Sequence, residues 1–241
     1  ALCESHGQGV TDAWPASAAR LDRGYDRIIA ITRSGTTTEV LDALSAYAGP
    51  GATTVISSSP GTPVLDLGTP ILMHEVDEQS VVQTRFATTT LALLRRHLGE
   101  NLAPVIAEAE KALAEETVPP VLRSAEQLTF VGMGLGAALA EECALKLRES
   151  CQAWTESYHA TEYRHGPISI SAPGRVVWAL GPLVPNFARD VAATGAHLEH
   201  RDADPMAELV RVQRLCLVWA ADAGLDADRP RNLSRSIILE P

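Results

Sequence analysis

Aromatic residues make up only 5% of the 241-residue chain, and it contains no CxxC pair, no HExxH and no GKS or GKT. Each absence removes a class of protein. Without GKS or GKT there is no nucleotide P-loop. Without HExxH, and with seven histidines that come near one another only as His159 and His165 and as His197 and His200, no metal site is expected. The four cysteines, Cys3, Cys143, Cys151 and Cys216, are widely spaced. They read as buried free thiols in a reducing compartment. No apolar run approaches the roughly 18 residues of a membrane span. The N-terminus has no basic stretch leading into an apolar one, so no signal peptide is read there. A cytoplasmic protein with no membrane partner is the expectation. The net charge of −10 argues against general nucleic-acid binding, which needs clustered Lys and Arg. It leaves room for a local anion site, because backbone amides at a helix start can hold phosphate.

What is present is a hydrophobic fraction of 46%, rich in Ala and Leu, arranged as short apolar runs alternating with helical periodicity. Tyr25–Ile31 reads as a strand ending in Thr32–Thr38, and Glu39–Tyr47 as a helix. Thr53–Ser57 and Ile71–His74 read as further strands, Gln79–Leu98 as a long helix stopped by Gly99, and Leu102–Thr117 as another. Pro119-Pro120 is the candidate linker. The pattern then restarts: strand Gln127–Val131, a glycine turn, helix Ala137–Cys151, strand Val176–Leu180, and helices Ala188–Gly195 and Leu209–Ala223. Alternating strands and helices predict parallel sheets with crossover helices. Two α/β halves are expected, 1–118 and 121–241. The first is expected to be one unit short, with only Ala1–Val10 where a strand and helix would stand. The chain does not begin with Met, which fits a processed form or a piece of a longer protein.

Three motifs carry chemistry. In TRSGTT (Thr32–Thr37) four hydroxyls and a glycine join a strand end to a helix start. This is either a phosphate cradle aided by the helix dipole or a Ser/Thr-rich turn with a cap. In Gly132-Met133-Gly134-Leu135-Gly136 the glycines follow GxGxG rather than GxGxxG, so close strand-to-helix packing is preferred over a dinucleotide site. In Glu142–Pro167 (ECALKLRESCQAWTESYHATEYRHGP), Lys146 and Glu149 share a helix face, and His165 sits on a turn closed by Gly166-Pro167, from which it can swing into a cleft. That pair is either a proton-transfer group or a solvated surface pair.

Together, Thr32–Leu44, Glu78–Thr88 (EQSVVQTRFAT), Glu142–Pro167 and the tail Arg229–Glu240 with PRNLSRS resemble the sugar isomerase (SIS) family of phosphosugar-binding domains. The resemblance is to its tandem members, the isomerase half of glucosamine-6-phosphate synthase and the ketose/aldose phosphosugar isomerases. It implies an α/β fold of two three-layer α/β/α, flavodoxin-like subdomains with parallel sheets. It implies that Thr32, Arg33, Ser34 and Thr37 grip a substrate phosphate, with Arg33 adding positive charge, and that Val81 and Gln83 contact the sugar. Glu149 matches the family's enediol base, held ionised by Lys146. His165 matches the ring-opening acid/base, donated across a homodimer interface. The implied activity is aldose–ketose isomerisation of a hexose or amino-hexose 6-phosphate, without cofactor or metal. A deaminase or amidotransferase-type enzyme of the same fold and a non-catalytic sensor are the alternatives. The chain departs from the synthase pattern at Arg235, where a catalytic lysine is expected. Arginine stays protonated and forms no Schiff base, which leaves Arg235 a charge-stabilising role. The glutaminase domain of the synthase has no counterpart in the sequence, and neither has the Gly–Ser turn that opens the family's first domain.

Overall fold

Short β-branched runs form the sheets. The computed structural model describes residues 2–49 and 51–239; Ala1, Pro50, Glu240, which ends the matched tail, and Pro241 lie outside the described residues. A four-residue helix α1 (Leu2–Ser5) and two short 3-10 turns lead into β1 (Arg27–Ile31). β2 (Ala52–Ser57) and β3 (Thr69–Leu72) follow, giving a parallel sheet ordered β1-β2-β3. The crossovers are helix α2 (Thr38–Ser45) and a 3-10 turn, Pro63–Leu67. Ile28 and Val55 point to one face and pack with Leu44 and Val64. Ile29, Ile31 and Ile71 occupy the other face and stay 39–48% exposed.

The second sheet is ordered β5-β4-β6-β7 and is also parallel. Its strands are β4 (Gln127–Gly132), β5 (Thr155–His159), β6 (Arg175–Leu180) and β7 (His197–His200). Before it come helices α3 (Arg85–His97), α4 (Ala103–Ala114) and α5 (Pro120–Arg123); after β4 come α6 (Leu135–Cys151), α7 (Phe187–Ala192) and α8 (Pro205–Asp222). Helices cover both faces. Leu128, Phe130 and Trp178 meet Leu139, Leu147, Leu209 and Leu215 of α6 and α8 on one side. Val131 and Val177 meet Tyr163, Phe187 and Val191 on the other. Both sheets are thus parallel and flanked by helices, the expected α/β class.

Helices α3 and α4 precede Pro119-Pro120 in the chain, yet Leu91, Ala92 and Val105 pack against the second core. The tie is also ionic. Arg95 of α3 donates twice to Asp204, both at 2.8 Å, and Asp204 caps α8 by accepting from the Met206 amide. Glu108 of α4 accepts the Asp204 N–H at 2.8 Å.

Four details differ from the sequence expectation, each for a physical reason. The long helix begins at Arg85, not Gln79. The buried Glu78 carboxylate accepts the amides of Thr84, Arg85 and Phe86 and the Thr84 hydroxyl, so the cap is supplied from outside the helix and residues 79–83 form a loop. The third strand covers Thr69–Leu72, where Thr54 to Ser57 of β2 offer its register. β5 and β7, TESYH and HLEH, were not anticipated. They flank the sheet, no residue of β7 is fully buried, and half-exposed strands carry little apolar signal. The glycine turn packs, as expected. A Cβ on Gly132 would lie 2.3 Å from the backbone of Gly136, and one on Gly136 would lie 2.4 Å from the Leu180 carbonyl oxygen.

Candidate active site

β1 hands the chain to the hydroxyl loop Thr32–Thr37. The loop is sunk into the protein, with Thr32, Arg33 and Ser34 buried. Gly35 turns it with φ +66°, and a side chain there would strike Thr62 at 2.2 Å. Thr32 Oγ1 closes the turn by accepting the Gly35 N–H at 3.3 Å. The Ser34, Thr36 and Thr37 hydroxyls converge instead on one point, the Ser236 hydroxyl of the tail, at 3.2, 3.0 and 3.4 Å. The sequence reading put Thr32 among the phosphate contacts and left out Thr36 and Ser236. Thr36 was visible only as one hydroxyl in a run, and Ser236 only as part of NLSRS.

Arg33 holds three segments together. Its guanidinium donates to the Ser80 carbonyl at 2.6 Å, to Val81 at 3.1 Å and to Arg235 at 3.5 Å. Its Nε has no hydrogen-bond partner among the described residues. Burial lowers its pKa, as does the neighbouring Arg235 charge, while Glu78, Asp77 and Glu149 pull the other way. The smallest of these pulls comes from Glu149, which the chain separates from the loop by more than one hundred residues. Val81 is fixed further by its amide donating to the Asp228 carbonyl at 3.0 Å. Gln83 lies in the same loop, half-buried.

Arg235 reaches Asp77 at 2.5 Å and Ser59 Oγ at 3.3 Å, and also donates to the Glu78 carbonyl. Burial works to raise the Asp77 carboxyl pKa, but hydrogen bonds from Arg235 and Ser58 outweigh it and leave the value low. Asp77 is a second partner that sequence reasoning missed.

On α6, Lys146 is buried and its Nζ donates to Glu149 Oε2 at 2.6 Å. One turn back, Glu142 Oε1 lies 3.4 Å from the same ammonium. Burial raises the Glu142 carboxyl pKa, and repulsion from Glu149 adds to it against the attraction of Lys146. The pair read from spacing is thus a buried ammonium shared by two carboxylates rather than a solvated surface pair. Glu149 borders a cavity of about 390 Å³ with Arg148, Gln152, Ala153 and the tail residues Arg231, Asn232 and Leu233. The tail therefore forms a wall of this cavity before it runs on to the hydroxyl loop.

His165 is not brought to Glu149 within the chain. α6 starts past the carboxyl end of β4 and returns to the amino ends of the strands, where Arg148 donates to the Thr155 carbonyl at 3.1 Å. β5 then runs parallel to β4, from Thr155 opposite Leu128 to His159 opposite Gly132. His165 follows beyond its far end, exposed in a 3-10 turn, Glu162–His165. Five residues of strand separate the two ends by roughly 16 Å. Among the described residues no group of three or more His, Cys, Asp or Glu is placed to hold a metal ion, and no helix is long and apolar enough to cross a membrane.

Solved structures share this architecture over almost the whole chain. The tagatose-6-phosphate ketose/aldose isomerase of Escherichia coli superposes with a TM-score of 0.78 at 16% identity, covering 100% of this chain and 80% of that one. The glucosamine-6-phosphate deaminase of Thermotoga maritima gives 0.73 at 20% identity, covering 99% and 80%. The fold is that of the SIS proteins, so the resemblance carried by the motifs holds at the level of architecture. No family model matches the chain. In sequence it is similar to the glutamine–fructose-6-phosphate aminotransferase (isomerizing) of Sulfurisphaera tokodaii, at 29% identity over 254 residues, 89% of this chain and 43% of that protein. The protein of that name from Streptococcus pyogenes serotype M3 is 28% identical over 284 residues, 96% and 46%. The chain spans less than half the length of these curated relatives.

Proposed function

We propose that this chain is a phosphosugar isomerase acting on a hexose or amino-hexose 6-phosphate, built from SIS domains over residues 1–118 and 121–241. The observation that carries the reading is the Glu149 carboxylate, 2.6 Å from a buried ammonium and on the wall of a cavity that the tail joins to the hydroxyl loop. In this reading the hydroxyls of Ser34 and Thr37, with Thr32 shaping the turn and Arg33 supplying charge, take the phosphate. Val81 and Gln83, in the loop folded by Glu78, face the sugar. Glu149 removes the proton from the carbon beside the open-chain carbonyl, leaving an enediol, and returns it to the adjoining carbon. The hydroxyl proton moves between the two oxygens, so nothing is gained or lost overall. Lys146 holds the Glu149 carboxylate in place through their 2.6 Å hydrogen bond, and Arg235 contributes positive potential from the Asp77 side.

The separation of His165 from Glu149 supports a site completed by a second copy. His165 of one protomer would open the sugar ring at the Glu149 of its partner. Mixing inactive Glu149→Gln and His165→Ala chains is expected to restore exchange in hybrid dimers. Failure of every mixture to do so removes the shared site.

A sugar-phosphate deaminase of the same fold is the second reading. It is prompted by the fold shared with the glucosamine-6-phosphate deaminase of Thermotoga maritima, while Arg235, standing where an imine-forming lysine would be needed, weighs against amino transfer. Incubation with a panel of hexose and hexosamine 6-phosphates in heavy water separates the cases. Exchange at C1/C2 without ammonia release supports the isomerase. Ammonia release from a hexosamine phosphate supports the deaminase, and tight binding with no exchange leaves only a sensor.

A further inference from the structure

We infer that residues 234–239 are a strap that occupies the phosphate cradle, and that a phosphate monoester binds by displacing the Ser236 hydroxyl from it. This rests on the cradle reading above and adds a competitor from the protein's own tail.

Three loop hydroxyls meet one tail hydroxyl. Ser236 Oγ lies 3.0–3.4 Å from Ser34, Thr36 and Thr37, which fills the one donor and two acceptor positions that a hydroxyl has. The strap also takes the helix-start groups that an anion would use. The Thr38 amide, in the first turn of α2, donates to the Ile237 carbonyl at 3.1 Å. The Leu239 amide donates to Thr38 Oγ1 at 2.9 Å. Within the strap, Ser234 Oγ donates to the Ser236 carbonyl at 2.8 Å.

Little apolar burial holds it down. Ile237, Ile238 and Leu239 are 50%, 70% and 53% exposed. The strap is kept in place by polar bonds to the hydroxyl loop and to Thr38, and polar bonds are what a competing anion replaces. A phosphate oxygen accepts from three hydroxyls at once, through charge-assisted bonds stronger than those to a neutral hydroxyl. Arg33, 2% exposed, adds a buried cation whose Nε–H is unpartnered among the described residues. The strap has an anchor and a pivot. Arg235 is tied to Asp77 at 2.5 Å, and Asn232 turns the chain with φ +63°, a conformation that Asn tolerates better than most residues. Release of 236–239 leaves that anchor in place.

The test uses the full chain with inorganic phosphate and with glucose 6-phosphate as probes. Amide exchange at Thr38 and Leu239 is expected to quicken when either probe binds. Ser236→Gly removes the competing hydroxyl and is expected to bind inorganic phosphate about fivefold more tightly, the equivalent of one net hydrogen bond. Thr38→Val frees only the Leu239 end and is expected to shift affinity the same way by less, which guards against a folding defect in the first variant. If a probe binds while both amides stay as protected as before, or if Ser236→Gly binds it no better or more weakly, the strap is overturned and the cradle reading survives. If neither wild type nor variant binds phosphate or glucose 6-phosphate, the cradle itself is wrong and the strap with it.

Discussion

All six residues of β4 in the second sheet are buried, and helices cover both of its faces, whereas no residue of β3 in the first sheet is buried and Ile29 and Ile31 are half-exposed. The first half has a smaller apolar core, Ile28, Leu44, Val55 and Val64, and adds polar ties to it: Arg33 to the 80–81 loop and the tail, Glu78 to the start of α3, and Arg235 to Asp77. A wide apolar core fixes a helix such as α6 rigidly, which suits a carboxylate that must keep its place. Hydrogen-bonded loops exchange partners at small net change in free energy, which suits a cradle that must accept and release an anion.

The comparison can be broken or sharpened by experiment. The largest effect should come from Glu149→Gln, which is expected to slow C1/C2 exchange by about 10²–10⁴-fold with binding of the sugar phosphate nearly unchanged. Thr37→Val should do the reverse, raising KM with kcat little altered. If the two variants behaved alike, there would be no division of labour between the halves. Next, Phe130→Ala should cost about 3–5 kcal/mol in urea unfolding, while Ile31→Ala should stay within about 1 kcal/mol because its side chain is only partly covered. Comparable losses would show that the first sheet is as tightly packed as the second. A smaller effect is expected at Glu78. Glu78→Ala leaves three helix-start amides without their acceptor and should cost about 1–3 kcal/mol, with weakened sugar binding through the 79–83 loop. Weak binding without any loss of stability would mean that Glu78 touches ligand rather than capping α3.

The smallest effect concerns pH. The folded-state pKa of Asp77 lies below its usual 3.8, so its contribution is complete above that value and fades as pH falls through the lower folded value. Unfolding followed from pH 6 to pH 2 should therefore lose less stability in Asp77→Asn than in the wild type. Parallel curves would mean that the Arg235 tie contributes nothing. Glu142 has the opposite sign: its raised folded-state value favours the folded state as pH falls toward 4.5.

Much of the architecture was legible before any coordinates. The runs IIAI and TTVIS, the helix Ala137–Cys151 and the glycine packing at Gly132 and Gly136 follow from local pattern, because a buried strand and a helix face each impose their own period. β5, β7 and the true start of α3 were not legible. The strands lie where half-exposure dilutes the pattern, and the helix is capped by a carboxylate, Glu78, six residues before its N-cap Thr84. In the site, Lys146 and Glu149 were visible because three residues of one helix separate them. Glu142 sits at an equally readable spacing, but its importance depends on the burial of the ammonium it shares.

By itself the sequence determined the fully buried strands and most of the helices, the hydroxyl-rich turn after β1 and the charged face of α6, since these depend on neighbours a few residues apart. Only the tertiary structure decided that Ser236 lies among hydroxyls some two hundred residues earlier in the chain, that Arg33 binds the backbone of another loop, and that His165 lies beyond the far end of β5 from the turn after α6. Those facts depend on the tail returning to the hydroxyl loop and on the parallel course of β5. No local periodicity encodes either one.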